Sequence, residues 1–156
     1  MDDDGIETDA LAADEGPGPG APIPASAAWR EGDHPGRRLF LPIGDLALEA
    51  DPMGVLPDAT LAYETWGELN AAKDNAIYIA HALTGDSHVF GPAEPGHHTG
   101  GWGNAMVGPG KPIDPAHHFI VCANVIGGCQ GTTGPASPHP EDGRPWGARF
   151  PYVTMR

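Results

Sequence analysis

The chain has 156 residues, a formal net charge of −13 and an isoelectric point near 4.7. The length predicts one domain, and the negative charge argues against nucleic acid or an anionic membrane surface as a partner. No apolar run is long enough to span a bilayer, and no basic residue precedes Arg30, so a secretory signal is not predicted. Two cysteines are too few for a disulfide framework. We therefore expect a soluble, cytoplasmic protein.

Residues 1–36 are predicted to form a disordered, acidic tail that is rich in glycine and proline. Seven acidic residues lie within the first 15 positions, and the run GPGPG follows at residues 16–20. Such a composition cannot bury enough apolar surface to offset the entropy lost on ordering. A solvated extension is the favoured interpretation, and an interaction role for the tail stays open. The domain is predicted to occupy residues 37–156.

An antiparallel pair of strands is predicted at the start of this domain. Order should begin near residues 39–41, and the first candidate strand covers residues 46–49. The second covers residues 60–66, where alternating side chains place Ala62, Glu64 and Trp66 on one face. Proline and glycine between the two runs are typical of a turn over residues 51–58.

Two further strands are predicted from short apolar runs at residues 77–80 and 118–124. Runs of this kind, bounded by turn residues, are typical of strands buried on both faces of a parallel sheet. The irregular stretch between them is long, and a short helix is predicted within it over residues 102–107. Residues 136–150 are predicted to be a loop.

Glycine-rich loops follow both of these strands, at residues 81–86 and 125–135. Loops at the carboxyl ends of parallel strands are where open α/β sheets bind ligands. The first loop is therefore a candidate binding or catalytic loop, and an ordinary glycine turn is an equal alternative. In the second loop, the glycines are expected to let the backbone turn tightly against the sheet.

The local patterns of nucleophiles and metal ligands are weak. The run GDSHV at residues 85–89 approaches the G-x-S-x-G turn of serine hydrolases, but Val89 fills the second glycine position of that strained turn, so Ser87 is not favoured as a nucleophile. The adjacent histidine pairs at 97–98 and 117–118 do not predict a metal site, because neighbours on a strand point to opposite faces. His81 is expected to be a hydrogen-bonded structural histidine, and Cys129 a packed thiol.

Five blocks of sequence are similar to the homoserine O-acetyltransferase family, in the order and spacing of that family. They are YETWGELN at 63–70, HALTGD at 81–86, GPGKPID at 108–114, NVIGGCQGTTGP at 124–135 and FPYVTMR at 150–156. The resemblance extends from about residue 39 to the last residue, and the acidic tail lies outside it. It implies an α/β-hydrolase fold, of which the chain would hold only the N-terminal part: the first antiparallel strand pair and two central parallel strands.

The resemblance also implies a reaction. Such enzymes move acetyl from acetyl-CoA, a co-substrate, to the hydroxyl of L-homoserine through an acyl-serine in a ping-pong cycle that serves methionine biosynthesis. The backbone N–H of Leu83 is implied as an oxyanion donor, with the Leu83 side chain packed, and Thr84 is implied as a substrate contact. No resident cofactor or metal is implied, and the full-length enzyme is expected to be a homodimer.

The catalytic serine, acid and histidine have no counterpart in this chain. No G-x-S-x-G run is present, and in this fold the three residues come in that order after the segment seen here. The chain is therefore expected to be an N-terminal fragment that is inactive alone. The alternatives are a non-catalytic remnant, a serine O-acyltransferase, a homoserine O-succinyltransferase or an esterase.

Overall fold

The computed structural model describes residues 28–154, so the predicted tail over residues 1–27 lies outside the described residues. Within residues 28–36, contacts with the rest of the chain already occur. The Trp29 N–H donates to the Cys129 carbonyl oxygen at 2.9 Å, and the Trp29 ring lies 4.8 Å from the Phe40 ring between centroids. Contacts therefore begin before the predicted boundary at residue 36. No helix among the described residues is long and apolar enough to cross a membrane.

One mixed sheet forms the centre of the structure. Its four strands are β1 (Leu39–Ala47), β2 (Val55–Trp66), β3 (Ala76–Ile79) and β4 (Phe119–Ala123). They lie in the order β1-β2-β4-β3. The first two strands form an antiparallel pair, β4 runs antiparallel to β2, and β3 runs parallel to β4. The predicted antiparallel pair and the two central parallel strands are confirmed.

The first hairpin is longer than the sequence pattern predicted, because β1 begins at Leu39 and β2 begins at Val55. The tight turn covers only the residues between them, where the Leu48 N–H donates to the Gly54 carbonyl oxygen at 2.9 Å. Pro57 lies in β2 at a shift of register, so its missing N–H breaks no ladder bond. Tertiary pairing thus extends both strands into residues that looked like turn formers.

The predicted helix over residues 102–107 is absent from the structure, where this segment is a series of turns. The N–H groups of Met106 and Val107 both donate to the Gly103 carbonyl oxygen, and Val107 then forms a parallel bridge with Ile113. Close packing is the physical reason for the glycines here. A Cβ atom on Gly101 would lie 2.5 Å from the Val89 carbonyl oxygen.

Two apolar clusters hold the connections onto the sheet. One contains Trp66, Val89, Val107, Ile120 and Cys122, and it packs the long connection after β3 against the sheet. The other lies under the first hairpin and contains Leu48, Leu56, Ala59 and Trp146. Trp146 directly precedes a short 3-10 helix, Gly147–Arg149, in the segment predicted as a loop.

The β3 strand lies at one end of the sheet order, with β4 as its partner on one side. Among the described residues, no strand pairs with its other side. Tyr78, in the middle of β3, has 65% of its surface exposed. An exposed edge with unpaired N–H and C=O groups is a template for pairing with another chain.

We expect residues 1–156, expressed alone, to self-associate through β3. Tyr78→Lys should lower this association, because a lysine on an edge strand opposes pairing of strands between chains. Tyr152→Lys is the matched control, since Tyr152 is 78% exposed and lies outside the strands. Size-exclusion chromatography with light scattering measures the effect. A parent chain that is monomeric and unfolds cooperatively would contradict the prediction.

Candidate active site

The loop after β3, called here the β3 loop, comprises residues 80–86 and holds the two residues singled out by sequence. Leu83 has 97% of its surface exposed, and Thr84 beside it is also exposed. The packing expected for the Leu83 side chain is therefore not made by residues 28–154. The backbone N–H of Leu83 donates no hydrogen bond to any of these residues. An exposed, unpaired N–H at the carboxyl end of a parallel strand is available to a ligand oxygen.

The loop after β4, called here the β4 loop, comprises residues 124–135 and is fastened along β2. The Thr132 hydroxyl accepts from the Ala62 N–H at 2.8 Å and donates to the Asn124 carbonyl oxygen at 2.8 Å. The Thr133 hydroxyl accepts from the Thr60 N–H at 2.8 Å. These side chains take the place of a paired strand, so the backbone groups of β2 stay satisfied where β4 ends.

The prediction that glycines let the β4 loop turn against the sheet is confirmed at Gly131. This residue has φ of +100°, and an added Cβ would lie 3.0 Å from the Ala62 Cβ and from the Phe40 ring. The expected packing of the Cys129 thiol is wrong, because Cys129 is exposed. Its backbone carbonyl oxygen accepts from the Trp29 N–H. The packed thiol is that of Cys122, whose pKa burial raises to about 12.

His81 connects the two loops. Its Nδ1 lies 2.7 Å from the Ala82 carbonyl oxygen, and its Nε2 accepts from the Val125 N–H at 3.3 Å. The prediction of a hydrogen-bonded histidine at the end of β3 is confirmed. The ring spans from the β3 loop to the β4 loop, so the positions of the two loops depend on each other.

A buried polar group, called here the Glu64 cluster, lies beneath both loops and consists of Glu64, Ser87, His88, His97 and Asn124. Glu64 is fully buried, and its Oε1 accepts from the Ser87 hydroxyl at 2.8 Å. Its Oε2 lies 3.0 Å from His88 Nδ1. Asn124 completes the group by accepting from the Ser87 N–H at 2.8 Å and donating to the Ser87 hydroxyl at 3.0 Å. The cluster thus joins β2, the end of β4 and the segment after the β3 loop.

Ser87 has a structural role in this arrangement. Its hydroxyl is fully buried, donates to the Glu64 carboxylate and accepts from the Asn124 amide. A nucleophilic serine needs a base that removes its proton and an open path to substrate. The Ser87 oxygen has no open path to substrate because it is fully buried, which agrees with the sequence argument based on Val89.

His97 is buried in the cluster, whereas His98 is exposed, so the adjacent pair does not act together. Its Nε2 accepts from the Arg37 N–H at 3.2 Å and lies 3.4 Å from Glu64 Oε1, whereas Nδ1 has no partner among the described residues. Burial, and then the nearby Arg38 guanidinium, lower the pKa of His97 from 6.5 to about 4. His97 is therefore neutral at pH 7.

The guanidinium of Arg38 forms the wall of the cluster toward the long connection. It is buried and donates to the Gly96 carbonyl oxygen at 2.8 Å and to the Gln130 side chain at 2.5 Å. Burial lowers the Arg38 pKa, and the nearby Asp86 and Glu64 carboxylates oppose this shift. The positive charge of Arg38 interacts with the buried Glu64 carboxylate. Its hydrogen bonds link residues 96 and 130 to the start of β1.

The ligand atoms of Glu64, His88 and His97 lie within 4.8 Å of one another, which is close enough to consider a shared metal ion. The ring geometry does not fit one. The His88 and His97 rings are stacked, with centroids 3.9 Å apart and planes inclined by 11°. An imidazole binds a metal in the plane of its ring, so two parallel stacked rings cannot direct their lone pairs at one ion. The cluster is instead closed by hydrogen bonds.

Sequence reasoning missed Glu64, His88 and Asn124 as members of a site. One signal was available, because the alternation in β2 puts Glu64 on the same face as Ala62 and Trp66. A carboxylate between two buried apolar side chains must find donors when the sheet is covered. Which residues supply those donors could not be inferred from the spacing.

The chain is similar to curated homoserine O-acetyltransferases. Over 135 residues it is 53% identical to the protein of that name from Thermobifida fusca, and the aligned region covers 86% of this chain and 35% of the relative. It is 56% identical over 133 residues to the one from Clavibacter michiganensis, covering 85% of this chain and 33% of the relative. The chain thus spans about a third of the length of the curated relatives. No family model matches it.

Solved structures agree with this similarity. The homoserine O-acetyltransferase from Bacillus anthracis is 29% identical with a TM-score of 0.61, covering 75% of this chain and 32% of the other. Esterase E22 is 28% identical with a TM-score of 0.65, covering 75% of this chain and 33% of the other. The resemblance recognised in the sequence is confirmed, and the four-stranded sheet is part of an α/β-hydrolase fold.

The buried neutral His97 predicts a loss of stability in acid. Between pH 6.5 and pH 4 the unfolded chain binds a proton at this residue that the folded chain does not, so the free energy of unfolding falls as the pH falls. The expected loss is about 3 kcal/mol at pH 4. Well above pH 6.5, where His97 is neutral in both the folded and the unfolded chain, this residue contributes no pH dependence.

The measurement is urea denaturation between pH 4 and pH 7.5 of a hybrid protein, in which this chain replaces the matched segment of the Thermobifida fusca relative. His97→Gln should flatten the pH dependence. The adjacent exposed His98 supplies the control, since His98→Gln should leave the slope as in the parent. Equal slopes in the parent and His97→Gln would contradict the assignment.

Proposed function

We propose that this chain is part of a homoserine O-acetyltransferase, which transfers acetyl from acetyl-CoA to the hydroxyl of L-homoserine. The observation that carries the proposal is the identity of 53% over 135 residues with the Thermobifida fusca protein of that name. The exposed N–H of Leu83, which has no partner among residues 28–154, supports it, because acyl transfer requires donors for an oxyanion.

In the proposed mechanism a serine takes the acetyl group from acetyl-CoA, releases CoA and then passes the acetyl group to homoserine. Each half of this ping-pong cycle forms a tetrahedral intermediate with a negative oxygen. The Leu83 N–H is one donor to that oxygen, and the second donor is the N–H after the nucleophile. Thr84, exposed beside Leu83, offers its hydroxyl to the substrate.

The nucleophile, its acid and its histidine are proposed to lie outside these 156 residues. The chain has no G-x-S-x-G run, and Ser87, which directly follows the β3 loop, is buried in the Glu64 cluster. What this chain contributes is one oxyanion donor and the framework that holds it. A donor without a nucleophile performs no acyl transfer, so the chain alone should be inactive.

The substrates are small molecules, and acetyl-CoA is consumed as a co-substrate, with no resident cofactor. The full-length enzyme is proposed to act as a homodimer in the cytoplasm, in methionine biosynthesis. The net charge of −13 supports small molecules as the substrates, because it opposes binding to nucleic acid or to anionic membranes.

Ester hydrolysis is the second candidate function. Esterase E22 matches the structure with a TM-score of 0.65, against 0.61 for the Bacillus anthracis acetyltransferase. The two reactions share the acyl-serine and its oxyanion donors, and they differ in whether water or an amino-acid hydroxyl accepts the acyl group. The identity of the acyl acceptor therefore decides between them.

We expect the hybrid protein to release CoA from acetyl-CoA when L-homoserine is present, and to form O-acetylhomoserine. Residues 1–156 alone should release none. A thiol reagent measures CoA, and mass spectrometry distinguishes O-acetylhomoserine from free acetate. Acetate as the sole product would favour the esterase. A folded hybrid without either activity, beside an active Thermobifida fusca parent, would contradict the proposal and favour a non-catalytic remnant.

Leu83→Pro in the hybrid should lower turnover by about 10²–10³-fold, because proline removes the N–H assigned to the oxyanion. Leu83→Ala keeps the N–H and is the matched control, and since the side chain is 97% exposed it should retain most of the activity. Circular dichroism verifies that both variants fold. Parental turnover in folded Leu83→Pro would refute the role of this N–H.

A further inference from the structure

The peptide between Ala82 and Leu83 is held by its oxygen. The Ala82 carbonyl oxygen lies 2.7 Å from His81 Nδ1 and accepts from the Gly85 N–H at 2.8 Å. Because a trans peptide is planar, its C=O and N–H point in opposite directions. Two donors on the oxygen therefore set the direction of the Leu83 N–H, which is itself unpaired among the described residues.

The His81 ring meets its two partners with one tautomer. The Val125 N–H donates to Nε2 at 3.3 Å, so Nε2 carries a lone pair. The ring proton then resides on Nδ1 and is donated to the Ala82 oxygen. The other neutral tautomer would place a hydrogen between Nε2 and the Val125 N–H and leave the Ala82 oxygen without this donor. The contact between the β3 and β4 loops thus selects the tautomer that orients the Leu83 peptide.

We propose that His81 is a positioning residue for acyl transfer, which aims the Leu83 N–H at the reacting oxygen by holding the Ala82–Leu83 peptide. This inference rests on the proposed function, since it takes the Leu83 N–H as an oxyanion donor. His81 touches no reacting atom in this role. It acts through the peptide, and the Val125 contact keeps its ring in place.

Two substitutions separate the functions of the two ring nitrogens. In His81→Asn the amide NH₂ replaces Nδ1 as a donor to the Ala82 oxygen, and the contact with Val125 is lost. In His81→Gln the amide oxygen reaches toward the Val125 N–H in place of Nε2, and the donor to Ala82 is lost. His81→Ala removes both. All three are made in the hybrid protein that contains the whole chain.

We expect His81→Ala and His81→Gln to lower kcat by about 10–100-fold, less than the loss of the N–H itself, because the Gly85 N–H still holds the Ala82 oxygen. KM for homoserine should change by less than about threefold, since an oxyanion donor acts mainly in the transition state. His81→Asn should recover most of kcat. The amplitude of the burst of CoA release gives the concentration of active sites, so that misfolded protein does not lower the calculated kcat.

A residue that served stability alone would give equal kcat per active site in all three variants, and that result would overturn the proposal. So would His81→Gln at or above the level of His81→Asn. An ester such as p-nitrophenyl acetate is assayed in parallel. If the parent hybrid hydrolyses the ester but does not acetylate homoserine, the proposed acceptor is wrong. The kcat values of the His81 variants can then still be ranked with the ester as substrate.

A readout without catalysis completes the test. In the folded hybrid with ¹⁵N-labelled histidine, long-range ¹H–¹⁵N spectra should show His81 with its proton on Nδ1, with His81→Ala used to assign the signal. A proton on Nε2 in the folded protein would overturn the proposal whatever the activity.

Discussion

The buried carboxylate of Glu64 is the constraint on which the rest of the structure depends. A carboxylate taken out of water is tolerated only when donors surround it, because its desolvation costs several kcal/mol. Here the Ser87 hydroxyl and the His88 ring supply those donors, at 2.8 and 3.0 Å. Both residues lie in the segment directly after the β3 loop, so satisfying Glu64 holds the far end of that loop against β2.

Asn124 extends the same constraint to the other strand of the parallel pair. Its amide is bonded to both the backbone and the hydroxyl of Ser87, and it stands at the point where β4 ends. The far end of the β3 loop and the start of the β4 loop therefore share one buried anchor. Above that anchor, the His81 ring joins the loops a second time, nearer to solvent. A peptide between two such attachments is preorganised, which is what a donor to a developing oxyanion requires.

Exposed apolar side chains lie on β3 and in both loops, beside this peptide. Tyr78 on β3, Leu83 in the β3 loop and Val125 in the β4 loop are all exposed. Exposed apolar side chains beside backbone N–H groups that have no partner are typical of a surface that another part of a protein covers. The proposed position of the nucleophile outside these 156 residues is consistent with that distribution.

The local sequence was sufficient to predict β3, β4 and the two loops that follow them. Apolar runs rich in β-formers, bounded by glycine and proline, predicted β3 and β4, and the five family blocks predicted the fold. The sequence prediction failed where tertiary contacts overrode a local preference. Pro57 lies in a strand because a shift of register there requires no N–H from it, and residues 102–107 are turns because their glycines pack against the backbone near Val89.

Only the tertiary structure decided the arrangement of the candidate site. The partners of Glu64 lie 23 and 24 positions away, and those of Ser87 include one 37 positions away, so periodicity carries no trace of them. The direction of the Leu83 N–H is likewise decided by what the Ala82 oxygen and the His81 ring contact, because a peptide plane has no orientation until its hydrogen bonds are made.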